Sequence, residues 1–156
     1  MKMQFTYNIF LIGFMGSGKS TVADYLCEKF DMDVVEMDQV IAERERMSIS
    51  DIFEKHGELY FRDLETKLLV ELQEKTNTVV SCGGGVAMRE CNVTEMKKNG
   101  KVVLLTAKPE TILERVENNH DRPLLENNKT VAYIAELMEK RREKYEAAAD
   151  MIIETD

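Results

Sequence analysis

Residues 8–26 read NIFLIGFMGSGKSTVADYL, an apolar run followed by glycines around a lysine and then a helical pattern. It fits the pattern G-x-x-x-x-G-K-S/T in full, with Gly13, Gly18, Lys19 and Ser20 at the fixed positions. Glycines let the backbone turn so that successive N–H groups point at phosphate oxygens, and the helix that follows adds partial positive charge. In such a loop Lys19 reaches the outer phosphates and Ser20 binds Mg²⁺. The alternative is a glycine-rich turn that carries a lysine by chance.

The residues on either side of the loop argue against chance. The apolar run Ile9–Ile12 predicts a buried strand, and Ser20–Lys29 predicts a helix. That helix places Val22, Leu26 and Phe30 on one side. A strand, a glycine-rich turn and a helix in this order are the context that a phosphate-binding loop requires.

The same alternation of strand and helix continues along the chain. The predicted strands are Asn8–Ile12, Asp33–Val35, Thr78–Ser81, Val102–Leu105 and Met151–Ile153. The other predicted helices are Gln39–Arg46, Ser50–Lys75 with a break near Gly57, Thr94–Asn99, Glu110–Asn118 and Thr130–Ala148, with Ser48 or Ser50 as a cap and Pro109 near a helix start. This pattern indicates an α/β fold with a parallel sheet covered on both faces. Without repeats or linkers, residues 1–156 are predicted to form one domain.

Composition restricts the classes of protein that fit. The chain has 29 acidic and 21 basic side chains and a net charge of −8, which argues against a nucleic-acid partner. Its apolar runs are too short to cross a membrane, and the initial MKMQFTYN is not a signal peptide. Three widely spaced cysteines without C-x-x-C indicate reduced thiols in the cytoplasm. His56 and His120 are far from any cysteine, so we expect no zinc site.

A phosphate-binding loop alone does not define the reaction. A GTPase would need N-K-x-D, but Asn128 and Lys129 are followed by Thr130 and Val131, and the sequence has no D-x-x-G. An ABC-type ATPase would carry Leu-Ser-Gly-Gly, which is also missing. The segment 118–130, NNHDRPLLENNKT, has the composition of a long mobile connection or lid.

Polar residues follow the predicted strands, where ligands bind in open α/β sheets. Glu36 and Asp38 follow the second strand, where one could assist Mg²⁺ and the other accept hydrogen bonds from substrate hydroxyls. Asp38 could instead cap the next helix. Arg62 and Glu65 are three residues apart, a spacing that also suits a surface salt bridge. The glycines at 83–85 suggest close approach of the backbone to a ligand.

Arginines near the end of the chain form the last candidate group. Arg141 and Arg142 lie in the run MEKRREKY. Their planar guanidinium groups suit carboxylates and phosphates, although such a run is more often a set of solvated charges.

In order and spacing, these pieces resemble shikimate kinase. The shared elements are G-F-M-G-S-G-K-S-T, an Asp two residues past an acid, S-I-x-x-I-F-x-x-x-G-E-x-x-F-R-x-x-E, S-x-G-G-G, R-P-L-L and K-R-x-x-x-Y. The resemblance covers about Ile9 to Asp156. It implies a P-loop kinase fold with strand order 2-3-1-4-5 and a lid at about 116–130. It also implies transfer of the ATP γ-phosphoryl to the 3-hydroxyl of shikimate, with Mg²⁺, by a monomeric enzyme.

The resemblance assigns roles to individual residues. ATP would be bound by Gly16, Ser17, Gly18, Lys19, Ser20, Thr21, Arg115 near adenine and Arg122 on the lid, with Ser20 on the metal. Shikimate would be bound by Asp38, Arg62, Gly84 and Arg141, with Glu65 orienting Arg62. The catalytic residues would be Lys19, Asp38 and Arg122. Phosphoryl transfer depends on placement and charge neutralisation, and this set supplies both.

The sequence departs from the family at two places. Glu36 stands where the family commonly has aspartate, and its longer carboxylate would reach Mg²⁺ through water. Family members usually continue past the final strand into a helix, after a loop that contacts adenine, whereas this sequence ends at Asp156. We therefore expect either a shortened chain or a less complete adenine pocket.

Two other functions remain open at the level of sequence. One is another small-molecule kinase of the same fold, such as a gluconate kinase or a nucleoside monophosphate kinase. Arg62 and Arg141 argue against it because they suit a carboxylated substrate. The other is a nucleotide-binding module without catalysis, which no lost motif residue supports.

Overall fold

The computed structural model describes residues 5–116 and 130–156. The strands are β1 (Asn8–Ile12), β2 (Asp33–Glu36), β3 (Thr78–Ser81), β4 (Gly100–Thr106) and β5 (Met151–Glu154). They form one sheet in the order β2-β3-β1-β4-β5, and every pair of neighbours is parallel. The predicted parallel sheet and its strand order are confirmed. The sheet positions β1 centrally, so that the phosphate loop emerges between β3 and β4.

The helices alternate with the strands. They are α1 (Lys19–Phe30), α2 (Met37–Glu45), α3 (Ile49–His56), α4 (Glu58–Glu71), α5 (Glu90–Lys98), α6 (Pro109–Val116) and α7 (Val131–Ala148), with 3₁₀ turns at Leu72–Glu74 and Val86–Met88. Gly57 separates α3 from α4 with a φ of 90°, which confirms the predicted break. The Ser48 hydroxyl accepts a hydrogen bond from the Asp51 N–H at 3.1 Å and caps α3.

Apolar side chains cover both faces of the sheet. Phe10 and Ile12 pack in a cluster on one face with residues from α2, α3 and α4, and Leu11 packs on the other face with Ala23 of α1. This division follows from the strand, in which successive side chains point to opposite faces. Val22, Leu26 and Phe30, which are predicted to share one side of α1, pack against the cluster that contains Leu11 and Ala23. A smaller cluster joins α6 to α7.

The parallel sheet brings the segments that follow β1, β2 and β3 to the same edge. Leu11 of β1 and Glu36 of β2 are both in register with Ser81 of β3. Because the strands are parallel, the residues after each of them meet at the same edge. Within residues 5–116 and 130–156, every helix is too short or too polar to cross a lipid bilayer. The predicted lid lies almost entirely outside the described residues, as does Arg122.

Candidate functional site

The phosphate loop leaves β1 and ends at the start of α1. Gly16 and Gly18 have φ angles of 80° and 103°, which residues with a side chain rarely adopt. Gly18 directly precedes Lys19, the first residue of α1, so the N–H groups of the loop lie next to those of the helix N-terminus. This arrangement is a ready site for a phosphate anion. The predicted strand, loop and helix are therefore all present.

Lys19 and Ser20 lie at the junction of two cavities. One, which we call the strand-end cavity, contains Asp38, Arg62 and Arg141. The other, the loop cavity, is lined by Gly16, Gly18, Thr21, Val22, Arg115 and Thr155, and Lys19 and Ser20 line both. The Lys19 ammonium donates hydrogen bonds to the carbonyl oxygens of Gly13 at 2.8 Å and Phe14 at 3.1 Å. A group passing from one cavity to the other would pass the side chains of Lys19 and Ser20.

The phosphate loop is held by residues far away in the sequence. Arg115 donates to the carbonyl oxygen of Gly16 at 2.9 Å and to that of Thr155 at 2.9 Å. The Thr155 hydroxyl donates to the carbonyl oxygen of Ser17 at 2.7 Å. No site role for Thr155 follows from its neighbouring residues, which carry no motif that predicts a contact with the loop. Its place directly after β5, at the ligand-binding edge of the sheet, is the one available signal.

Asp38 enters the strand-end cavity from the first turn of α2. That helix begins at Met37, and Glu36 occupies the capping position without a side-chain cap. The alternative that Asp38 caps the helix is therefore wrong. Glu36 and Asp38 both line the strand-end cavity. Within the described part of the chain, Asp38 Oδ1 is buried without a hydrogen-bond partner, so a donor from a ligand would stabilise it.

Arg62 and Glu65 form a buried ion pair. Arg62 Nη1 donates to Glu65 Oε1 at 2.8 Å, with the two side chains 15% and 0% exposed. The alternative of a surface salt bridge is therefore wrong. Burial raises the pKa of Glu65 to about 7, against the opposing effect of Arg62, and the charge of Asp38 adds to the rise. The pair thus holds the guanidinium in place with a carboxyl that titrates near neutral pH.

The three glycines after β3 leave room for the side chains of the site. A Cβ at Gly83 would lie 2.7 Å from Glu65 Oε2 and 3.0 Å from Asp38 Oδ1. One at Gly85 would lie 2.4 Å from Nη1 of Arg62. Close approach to a ligand stays a prediction for this loop, but the need to accommodate these charged groups is a separate reason for glycine.

Arg141 of α7 lines the strand-end cavity, and Tyr145 lies about one turn later on the same helix. Arg141 lies over the Phe14 ring at 5.6 Å, and its Nη1 is 3.2 Å from a Cβ built at Gly84. The Tyr145 hydroxyl donates to the carbonyl oxygen of Gly84. Tyr145 belongs to the pattern K-R-x-x-x-Y, but the sequence alone assigns it no role. It positions the glycine loop against α7.

The charged groups of the strand-end cavity are balanced. The cations are Lys19, Arg62 and Arg141, and the acids are Glu36, Asp38 and Glu65. Two separate guanidinium groups and a buried carboxylate suit a small ligand with a carboxylate and hydroxyl groups. Among the described residues, no group of three or more His, Cys, Asp and Glu side chains could hold a metal ion. Mg²⁺ does not require such a group, because it commonly binds only one or two protein oxygens together with substrate phosphates.

Comparison with known proteins points in one direction. The family model described as shikimate kinase matches residues 15–156. The shikimate kinase of Sulfurihydrogenibium sp. is 47% identical over 141 residues, which cover 90% of this chain and 84% of that protein. That of Persephonella marina is 46% identical over 149 residues, covering 96% of this chain and 89% of that protein.

Solved structures agree with the sequence comparison. The shikimate kinase of Acinetobacter baumannii in complex with shikimate has a TM-score of 0.91 at 35% identity, over 96% of this chain and 84% of that one. The shikimate kinase of Aquifex aeolicus has a TM-score of 0.78 at 38% identity, over 94% of this chain and 85% of that one.

Proposed function

This chain belongs to the shikimate kinase family, and from that premise we propose which of its residues transfer the γ-phosphoryl of ATP to the 3-hydroxyl of shikimate. It is an ATP-dependent kinase. The observation that carries the assignment is the position of Lys19 and Ser20 at the junction of the two cavities. The strand-end cavity would receive the acceptor, and the loop cavity the nucleotide.

Shikimate would be held by its carboxylate and its hydroxyl groups. Arg62 and Arg141 would bind the carboxylate, and the Gly84 backbone would contact the bound ring. Asp38 would accept a hydrogen bond from the reacting hydroxyl through its buried, unpartnered oxygen. Glu65 would keep Arg62 oriented through the 2.8 Å ion pair.

The nucleotide would lie along the phosphate loop. Its phosphates would contact residues 16–21, and Arg115 would lie near adenine. The divalent cation that accompanies ATP would be Mg²⁺, held by Ser20 directly and by Glu36 through water, and it would neutralise phosphate charge. Arg122, outside the described residues, is assigned on the sequence alone as a lid cation. If it stabilises the transferring group, Arg122→Ala should lower kcat by roughly 10²-fold.

The transfer itself is a displacement at phosphorus. The 3-hydroxyl oxygen forms a bond to the γ-phosphorus while the bond from phosphorus to the bridging oxygen breaks and ADP leaves. Asp38 takes the hydroxyl proton, and Lys19 stabilises the charge on the transferring group. Little covalent chemistry is asked of the protein, so the placement of these groups determines the rate.

We also propose a monomeric, cytoplasmic enzyme without a nucleic-acid or membrane partner. The net charge of −8 supports the absence of a nucleic-acid partner. The free cysteines, Cys27, Cys82 and Cys91, support a reducing compartment.

A coupled ADP-release assay tests the function. Shikimate, gluconate, nucleoside monophosphates and no acceptor are compared at saturating ATP. Turnover with shikimate alone is expected; turnover with gluconate would favour the alternative kinase, and release without any acceptor would indicate a nucleotide-binding module with slow hydrolysis.

Arg62→Lys tests the assigned substrate site. The ammonium cannot form the two parallel hydrogen bonds of the guanidinium, so the KM for shikimate should rise strongly while that for ATP stays near normal. Arg44→Lys is a matched control, because Arg44 also pairs with a carboxylate through both Nη atoms, but with Glu71 on the surface. Unchanged shikimate affinity in Arg62→Lys would refute the assignment.

A further inference from the structure

The guanidinium of Arg62 has two carboxylate partners of different kinds. Nη1 pairs with Glu65 at 2.8 Å, and Nη2 pairs with Glu58 at 3.1 Å. Glu65 is completely buried, whereas the Glu58 side chain is 59% exposed. One partner is therefore fixed by the core, and the other is free to move into solvent.

The surroundings of Arg62 leave few directions from which a ligand could reach it. The rings of Phe53 and Phe61 lie 5.8 and 5.4 Å from its Cζ. On the side of Gly85 even an added methyl group would collide, since its carbon would lie 2.4 Å from Nη1. Two-point binding of a carboxylate requires both N–H groups of one edge of the guanidinium. Each edge of the guanidinium that can bind a carboxylate at two points includes an N–H of Nη2, so the ligand would share this nitrogen with Glu58, which contacts it at 3.1 Å.

We propose that Glu58 is a built-in competitor for the substrate carboxylate, pairing with Arg62 until the substrate displaces it. The inference rests on the proposed role of Arg62 in binding shikimate and deepens it. On binding, the Nη2 contact passes from Glu58 to the substrate, and the Glu58 side chain turns to water. Keeping Glu58 in place would gather three carboxylates around one guanidinium, and like charges at that distance repel.

The exchange is energetically accessible because Glu58 is a surface residue. An exposed pair between residues four apart on a helix contributes little to stability, so its loss is a small barrier to binding. Glu65 cannot be exchanged in the same way, because moving a buried partner would leave Arg62 uncompensated. The structure thus separates a carboxylate that orients Arg62 from one that competes for it.

The test compares Glu58→Gln with Glu71→Gln by isothermal titration of shikimate. Glu71 is on the same helix and also pairs with an arginine, Arg44, so the two variants lose the same charge in similar settings. Glu58→Gln should bind shikimate about two- to fivefold more tightly than wild type, the range that an exposed ion pair supports. Glu71→Gln should bind it as wild type does. The methyl ester of shikimate, which lacks the charge, should gain no affinity from Glu58→Gln.

Three results would overturn the inference. These are unchanged or weaker shikimate binding by Glu58→Gln, an equal gain in Glu71→Gln, and an equal gain for the methyl ester. Arg62→Lys, titrated in parallel, separates this inference from the proposed function. If that variant loses shikimate affinity and Glu58→Gln does not gain it, only the competitor role fails. If Arg62→Lys binds normally, the assignment of Arg62 itself fails.

Discussion

Replacing Gly85 by alanine would displace Arg62 without straining the backbone. Gly85 has φ −97° and ψ −1°, angles that alanine also adopts. The new methyl carbon would lie 2.4 Å from Nη1, 2.5 Å from Cζ and 2.6 Å from Nη2 of Arg62. Ordinary contact requires more than 3 Å, so the guanidinium must move by about 1 Å, a misplacement that can cost on the order of 10²-fold in activity.

The size of the effect follows from the hydrogen bonds that the guanidinium would lose. A hydrogen bond to a charged group contributes about 1.5–3 kcal/mol, and about 1.4 kcal/mol corresponds to tenfold in binding. We therefore expect kcat/KM for shikimate to fall by about 10- to 100-fold. The substitution of glycine stabilises by about 0.4–1 kcal/mol through the unfolded state, which offsets part of the cost of shifting Arg62 relative to Glu65. A melting temperature measured in parallel shows that the variant is folded.

Steady-state kinetics with each substrate varied in turn provide the measurement. KM for ATP should stay near the wild-type value, because Arg62 lines the strand-end cavity and not the loop cavity. Gly84→Ala is a comparison at the other arginine, because its Cβ would lie 3.2 Å from Arg141 Nη1, a milder contact. A folded Gly85→Ala enzyme with normal kcat/KM for shikimate would show that Arg62 does not need its present position.

Other perturbations test the remaining parts of the structure. Asp38→Asn should lower kcat by about 10²–10⁴-fold, the range for a positioned acid–base group, with rapid-quench turnover as the readout; near-normal turnover would exclude its role as base. Because the pKa of Glu65 is raised from 4.5 to about 7 in the folded protein, the free energy of unfolding should fall by up to about 3 kcal/mol as pH rises across that interval, and Glu65→Gln should flatten the profile in urea titrations. A wild-type profile that rises with pH in that window would contradict the raised pKa of the buried Glu65 carboxyl. Asn8→Ala should destabilise the fold by at least about 2 kcal/mol in urea, because the buried Asn8 side chain donates to the Leu72 and Lys75 carbonyls and accepts from the Thr78 N–H.

The parts of the fold that depend on local chemistry could be predicted from the sequence. The phosphate loop and the Ser48 cap are set by neighbouring residues, and both are present. Helix α5 begins at Glu90, four residues before the predicted Thr94. Its polar first turn is stabilised by Asn92, which is buried and donates to the Val86 carbonyl. Such a tertiary hydrogen bond overrides local propensity and leaves no periodic signal in the sequence.

For the site, spacing identified the groups but not their environment. The separation of Arg62 and Glu65 is the same in an exposed pair and in a buried one, so only the packing around α4 distinguishes them. Tyr145 has its role through a contact with Gly84, 61 residues away. Asp38 is the second residue of α2, whereas the sequence left open the alternative that it caps that helix. Contacts between distant segments are not encoded in local patterns, and these residues depend on them.

Because Thr155 holds the Ser17 carbonyl through a hydrogen bond, the phosphate loop of a newly made chain is completed only after Thr155 has been synthesised. The two residues are 138 positions apart, and the bond is 2.7 Å long. A ribosome that adds about 5–20 residues per second needs roughly 7–30 seconds to make the intervening chain. During that time the glycine loop exists as sequence but lacks the threonine and the β5 strand that fix its carbonyl groups. A nascent chain would therefore acquire its nucleotide site only after Thr155 has been made, although Ser17 was made 138 residues earlier.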